Sequence, residues 1–144
     1  MSRSGYTHDI DDPLHLGRWR AAVNSALRGR RGQAFLKEML AALDALPAKR
    51  LVRDTLEVEL GMPFHRGDVC AIGSVGRVRG LDMSGIDPYD NEHIAAQFGI
   101  AHAMACEVMY WNDECRRRET PEQRFDRMRK WIVETISPPT TAQI

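Results

Sequence analysis

The sequence predicts a mainly α-helical, compact domain of five to six helices. Three observations support this fold class. Apolar residues recur at spacings of three and four over several stretches, which is typical of amphipathic helices. Glycine and proline separate these stretches at positions where helices commonly end. One stretch alternates with period two instead, so we expect a minor β-hairpin or extended segment around residues 49–60.

Size and composition favour one soluble globular domain. A chain of 144 residues can bury a core without metal or disulfide, and its charged fraction of 28% and hydrophobic fraction of 43% are ordinary. Every apolar run is shorter than the roughly 20 residues of a membrane span, so we expect no membrane association. We predict a flexible arm over residues 1–13, a single helical domain over 14–136 and a flexible tail over 137–144.

Two amphipathic helices are predicted first. Apolar positions follow helical spacing from Leu14 to Arg28 and again from Gln33 to Leu46, and Pro47 prevents continuation of the second helix. The R-G-R-R-G sequence at 28–32 would form the turn of a helical hairpin.

The middle of the chain predicts an extended segment and a third helix. Residues 56–60 alternate between apolar and acidic, as in a half-buried strand. Asp68 can cap a helix over Val69–Arg79, and Gly80 would end it.

Three more helices are predicted after this point. The pattern indicates a short helix over Asn91–Phe98, stopped by the following glycine, and another over Ala101–Asp113. The T-P-E-Q sequence at 120–123 is a capping box, so the last helix should run from Pro121 to about Ile136.

Charge is sorted along the chain, although 20 basic residues balance 20 acidic ones. Leu14–Arg53 carries a net charge of +7 and Arg116–Lys130 of +4, whereas Leu81–Cys115 has seven carboxylates and no Lys or Arg. A basic surface attracts anions or acidic partners, and Trp and Arg are common interface anchors. The candidate partner- and anion-binding residues are Arg18, Trp19, Arg20, Arg28, Arg30, Arg31, Arg124, Arg127 and Lys130.

Residues 94–108 suggest a second function. Ala95, four residues before Gly99, is typical of a helix-turn-helix corner, which would make the protein a DNA-binding regulator. However, residues 101–107 offer no Arg, Lys, Asn or Gln to read base edges, and they lie in the acidic block. We therefore expect a packing role for this corner and keep the regulator as the alternative function.

Metal and catalytic chemistry have weaker support in the sequence. His102 and Cys106 lie four residues apart and His93 or Cys115 could join them, but this spacing does not fix four ligands. The sequence therefore predicts no metal and no cofactor. It shows no nucleophile with a base and an orienting group, so it predicts no catalytic residue and favours a non-enzymatic role.

Two clusters of carboxylates could bind a metal ion. Acid–base catalysis or magnesium binding requires that their side chains converge in a pocket, which spacing in the sequence does not show. We favour the interpretation that these carboxylates form surface ion pairs and cap helices. The clusters are Asp87, Asp90 and Glu92, and Glu107, Asp113 and Glu114.

Three stretches resemble a family of small uncharacterised proteins encoded by bacteriophages and prophages. They are residues 28–38, residues 67–73, and residues 112–114 followed by 120–131, within a resemblance that spans about 18–136. This resemblance implies a viral protein acting in the host bacterial cytoplasm and transfers no catalytic residue.

The expected function is that of a small phage accessory protein, a helical binding module that docks a basic face on an acidic partner. The expected partner is a host or phage protein, and the second candidate is a nucleic-acid backbone. The protein could also form a homo-oligomer. The polar first thirteen residues contain no secretory signal, which favours a cytoplasmic location with reduced cysteines.

Overall fold

Six helices dominate the computed structural model, which describes residues 2–6, 12–58, 67–116 and 118–137. The mainly α-helical prediction is confirmed, and the described ranges contain no strand, only an isolated antiparallel bridge between Glu57 and Val69. The helices are α1 (Pro13–Arg28), α2 (Arg30–Ala45), α3 (Ala71–Arg79), α4 (Asn91–Phe98), α5 (His102–Asp113) and α6 (Pro121–Thr135).

Several helix ends follow from local signals. Thr120 and Gln123 form the predicted capping box, in which the Thr120 backbone N–H donates to Gln123 Oε1 at 2.9 Å and the Gln123 N–H donates to Thr120 Oγ1 at 3.1 Å. Gly80 and Gly99 end α3 and α4 with φ of 70°. This left-handed conformation favours glycine, so both predicted stops are confirmed.

Two helix starts differ from the prediction. α2 begins at Arg30, so Gly29 alone joins it to α1 and residues 30–32 are helical rather than part of a turn. The hairpin can close this tightly because Gly32 packs directly on the α1 backbone. The cap of α3 is Cys70 instead of Asp68, whose carboxylate binds Arg50 at 2.7 Å.

The predicted extended segment is held by backbone hydrogen bonds rather than by a regular sheet. Val52 N–H donates to Val69 O at 3.0 Å, Val58 N–H donates to the residue 68 carbonyl at 2.8 Å and Cys70 N–H donates to Leu56 O at 3.1 Å. Residues 52–58 therefore run beside residues 67–70. The last two positions of the predicted strand, 59 and 60, lie outside the described residues.

α5 is the central helix, because it packs against α1, α3, α4 and α6, while α2 packs against α1, α3 and α6. Its residues 103–109 are all buried. Side chains from the surrounding helices, such as Leu36, Ile72 and Ile132, are at most 1% exposed. Burial of this apolar surface is the main stabilising contribution to such a fold. No described helix is both long and apolar enough to cross a bilayer.

The chain start packs against this helical body. We expected residues 1–13 to form a flexible arm, yet Arg3 and Ser4 are each 1% exposed, and Pro13 already belongs to α1 behind its cap Asp12. At the other end, Ser137 N–H donates to Gln33 Oε1 at 2.8 Å. The rest of the predicted arm (7–11) and tail (138–144) lies outside the described residues.

Candidate functional site

The structure separates the nine candidate binding residues into engaged and exposed groups. On α1, the Arg20 guanidinium donates two hydrogen bonds of 2.8 and 3.0 Å to the Glu107 carboxylate. Trp19 is half-buried and donates its Nε1–H to the Tyr6 hydroxyl at 3.0 Å. Both side chains therefore join α1 to other parts of the protein itself.

The arginines of α6 also serve the fold. Arg124 is 4% exposed and donates to the Leu51 carbonyl at 3.0 Å, and burial lowers its pKa. Arg127 binds the Glu119 carboxylate, with Nε at 2.9 Å, and donates to the Trp111 carbonyl. Lys130 is exposed and lies 3.9 Å from Glu134. Of the candidates on α6, only Lys130 remains open to a partner.

Four candidates stay exposed without an ion pair to any residue that the structure describes: Arg18, Arg28, Arg30 and Arg31. We call the last three the basic corner, because they surround Gly29 where α1 meets α2. Arg18 lies ten residues earlier on α1, about 15 Å along the helix. Most other described arginines are paired with carboxylates. These are Arg3, Arg20, Arg50, Arg53, Arg77, Arg79, Arg124, Arg127 and Arg129.

A cavity of about 180 Å³ adjoins the basic corner, lined in part by Arg30, Arg31, Ala101 and Met104. The N-cap residues of two helices line it, Gly29 before α2 and Ala101 before α5, and neither cap makes a side-chain hydrogen bond. Helix N-termini carry partial positive charge and guanidinium groups match carboxylates. The corner therefore offers an anionic group both charge and donors.

The helix-turn-helix corner is present, but it faces the core. Gly99 turns the chain in the left-handed conformation and Ile100 N–H donates to Ala95 O at 3.0 Å. Because residues 103–109 of α5 are buried, this helix presents no continuous face to a DNA groove. The geometry favours the packing role.

His102 and Cys106 lie together, but they do not form a catalytic pair. His102 Nε2 lies 3.4 Å from Cys106 Sγ and 2.6 Å from Asn91 Oδ1, so one ring nitrogen makes both contacts and cannot relay a proton between them. Burial and the nearby Glu92 and Glu107 carboxylates raise the pKa of Cys106 to about 12, which disfavours a nucleophilic thiolate. Within the described ranges, no cluster of three His, Cys, Asp or Glu side chains is placed to hold a metal.

The carboxylates of the second cluster bind the chain start. Arg3 donates from Nε and a terminal nitrogen to Asp113 at 2.6 and 2.9 Å, the Ser4 hydroxyl donates to Glu114, and the Tyr6 hydroxyl donates to Glu107 at 2.8 Å.

In the first cluster, local roles dominate. Asp90 caps α4 by accepting from His93 N–H at 3.1 Å, and Asp87 accepts from Tyr89 N–H at 2.9 Å. Glu92 lies in the first turn of α4, where a carboxylate is favourable. The expected capping accounts for Asp90 in the first cluster, whereas the ion-paired carboxylates of Glu107 and Asp113 in the second are buried rather than on the surface as expected.

Glu107 is the centre of a network that sequence reasoning missed. Burial alone would raise its pKa, but hydrogen bonds from Arg20, Tyr6 and Trp111 bring the pKa below its usual range. Arg3 and Tyr6 lie more than a hundred residues from Asp113 and Glu107 in the chain. No local pattern could reveal these contacts.

Comparisons with protein-family models, curated proteins and solved structures found no match for this chain.

Proposed function

We propose that this protein is a non-enzymatic helical binding module whose basic corner docks on an acidic protein surface. One observation carries the proposal. Arg28, Arg30 and Arg31 are exposed and free of ion pairs with described residues, whereas most other described arginines are held by the protein's own carboxylates. Free guanidinium groups at one corner are available to a partner without breaking internal contacts.

The cavity at the corner supports a carboxylate as the group that is recognised. Its volume of about 180 Å³ can take the end of an Asp or Glu side chain, and the uncapped start of α2 adds backbone donors. Arg18 extends the basic surface along α1 and would contact a second acidic group.

A protein partner fits the charge distribution better than a nucleic acid does. The molecule has no net charge, and Asp82, Asp87 and Glu92 are exposed elsewhere on its surface. A DNA duplex carries one charge per about 1.7 Å of axis and would meet these carboxylates beyond a small basic corner. The buried α5 gives the regulator no support from the geometry. In line with the resemblance to phage proteins, we place this activity in the host bacterial cytoplasm.

The test uses a fluorescent glutamate-rich peptide and a short DNA duplex, titrated with protein at low salt. The triple variant Arg28→Gln, Arg30→Gln, Arg31→Gln should lose about tenfold in affinity for the peptide, since each interfacial charge contributes several tenths of a kcal/mol. The matched control is Arg53→Gln, Arg77→Gln, Arg129→Gln, which changes the net charge equally at three exposed, paired arginines.

The control variant should stay within about threefold of the wild-type affinity. Equal losses in the two triple variants would show that net charge alone drives binding, and the proposal would be wrong. Tighter binding to the duplex, lost on changing the corner, would replace the protein partner by a nucleic acid.

A further inference from the structure

A second cavity, of about 210 Å³, lies between residues 2–6, α1, α4 and α5. Four rings line it, those of Tyr6, Trp19, His102 and His15, together with Asn91 and Cys106. It shares no lining residue with the basic corner. The cavity is also separate from the Arg20–Glu107 ion pair, neither member of which lines it.

The Trp19 ring stands at a steep angle to the Tyr6 ring and to the His102 ring. The Tyr6 and Trp19 ring centroids are 6.0 Å apart with an interplanar angle of 87°, and those of Trp19 and His102 are 5.8 Å apart at 77°. These rings line the same cavity, so they border a shared space at steep angles. Aromatic cages for methylated ammonium ions are built in this way.

Hydrogen bonds fix the Tyr6, Trp19 and His102 rings before any ligand arrives. Tyr6 donates to Glu107 at 2.8 Å, Trp19 donates to the Tyr6 hydroxyl at 3.0 Å, and His102 Nε2 lies 2.6 Å from Asn91 Oδ1. A ligand would therefore meet rings that are already ordered, which lowers the entropic cost of binding.

The local charge favours a cation. No Lys or Arg belongs to the described lining of this cavity, and the Glu92 carboxylate is close enough to contribute to the raised pKa of Cys106, whereas the Glu107 carboxylate is already paired with Arg20. Ring faces add the negative end of their quadrupoles.

We propose that this cavity binds a small methylated ammonium ion. Polar groups of the lining already have hydrogen-bond partners within the protein. The Asn91 side-chain oxygen is hydrogen-bonded to His102, and the Tyr6 hydroxyl donates to Glu107. A cation without N–H donors needs no further acceptors, so a trimethylammonium group fits better than a primary amine. This inference is independent of the proposed function at the basic corner.

The test titrates the full chain with choline by calorimetry. Its neutral isostere, in which a tert-butyl group replaces trimethylammonium, is titrated in parallel. Choline should bind at one site and about tenfold more tightly than the isostere, since a partly desolvated cation–π contact contributes more than the apolar contact alone. Equal affinities for choline and its neutral isostere would overturn the proposal.

Two variants and a control locate the site. Trp19→Leu and His102→Leu should each weaken choline binding by about fivefold or more, and His102 is exposed, so its variant should keep the fold. Tyr89→Leu removes an aromatic ring that is 47% exposed and outside the cavity, and it should bind choline like the wild type. Unchanged choline affinity in His102→Leu would place binding elsewhere and contradict the assignment.

A trimethyllysine peptide distinguishes the source of the ammonium group. Binding of choline alone would assign a free quaternary amine, and tighter binding of the peptide would assign a methylated protein segment. Either result supports the methylated ammonium site, whereas binding of neither ligand overturns it.

Discussion

Arg3 has the least exposed charged side chain of the described residues, and all of its polar atoms are matched. Nε and one terminal nitrogen donate to Asp113 at 2.6 and 2.9 Å, and the other donates to the Thr55 carbonyl at 3.1 Å. Burial alone would lower the pKa of Arg3, but the interactions with Cys70 and Asp113 raise it overall. The ion pair is buried, and it anchors the chain start to the end of α5.

Replacing Arg3 by alanine should lower the free energy of unfolding by about 3–5 kcal/mol, because Asp113 would be left as an uncompensated buried charge. Urea denaturation measures the change. The control is Arg53→Ala, whose side chain is 48% exposed and pairs with an equally open Asp54, so it should cost about 0–1 kcal/mol. Similar losses in the two variants would mean that the buried pair contributes no more than a surface one.

Cys106 should be almost inert in the folded protein. It is 2% exposed and its pKa is about 12, so very little thiolate is present at pH 8. Iodoacetamide should modify it at least about a hundredfold more slowly in native protein than in urea, as followed by mass spectrometry of peptides. Cys115, which is half-buried, should react before it. Fast native labelling of Cys106 would contradict the packing around it.

At the scale of elements, the approach of α2 to α1 is set by a glycine. A Cβ on Gly32 would lie 2.9 Å from the carbonyl carbon of Ala26 and closer still to its oxygen, and backbone atoms cannot yield as a flexible side chain can. Gly17, also helical, has nothing within 4 Å of the same position. Gly32 is therefore needed for the close packing of the two helices, whereas no contact requires glycine at position 17.

The variant Gly32→Ala should lose about 1–3 kcal/mol of stability, because the hairpin must open to admit the methyl group. Gly17→Ala should gain about 0.5–1 kcal/mol, since alanine is the better helix former. Thermal unfolding followed by circular dichroism compares the two. A stabilised Gly32→Ala variant would show that the helices are farther apart than described.

Helix ends were predictable where the signal is local and not where it is tertiary. The capping box at 120–123 and the left-handed Gly99 act within one turn of backbone, so the sequence alone placed the start of α6 and the end of α4. The start of α2 depends on how closely Gly32 can approach Ala26, which no pattern within residues 28–33 records.

Across the whole molecule, ion pairs join segments that are far apart in sequence. Arg20 meets Glu107, Arg79 meets Glu38 and Arg129 meets Asp44. The charge blocks were visible in the sequence, but which of their members meet depends on which helices pack together. The proximity of Arg28, Arg30 and Arg31 was predictable because they are neighbours in the sequence. The engagement of Arg124 and Arg127 was not, because their faces of α6 are defined only by the packed structure.

These ion pairs make the stability of the fold depend on pH. Hydrogen bonds from Arg79 and Arg129 lower the pKa values of Glu38 and Asp44. Burial would raise the pKa values of Glu107 and Glu119, but Arg20 and Arg127 bring both below their usual range. A carboxyl whose pKa is lower in the folded than in the unfolded chain stabilises the fold while it is ionised.

The melting temperature should therefore be steady from neutral pH down to about pH 5 and then fall as the pH drops through the lowered folded-state pKa values, below the unfolded values of about 3.9 for Asp and 4.3 for Glu. Calorimetry from pH 7 to about pH 3 measures the slope. Glu107→Gln removes one buried titrating group, so its melting temperature should decline less steeply with acid than that of the wild type, although its stability at pH 7 is lower. Glu134→Gln, whose side chain is 63% exposed, should follow the wild-type slope. If the melting temperature of Glu107→Gln declines as steeply with acid as that of Glu134→Gln, the Arg20–Glu107 pair does not contribute to acid sensitivity. The loss of stability at low pH then arises at the other ion pairs.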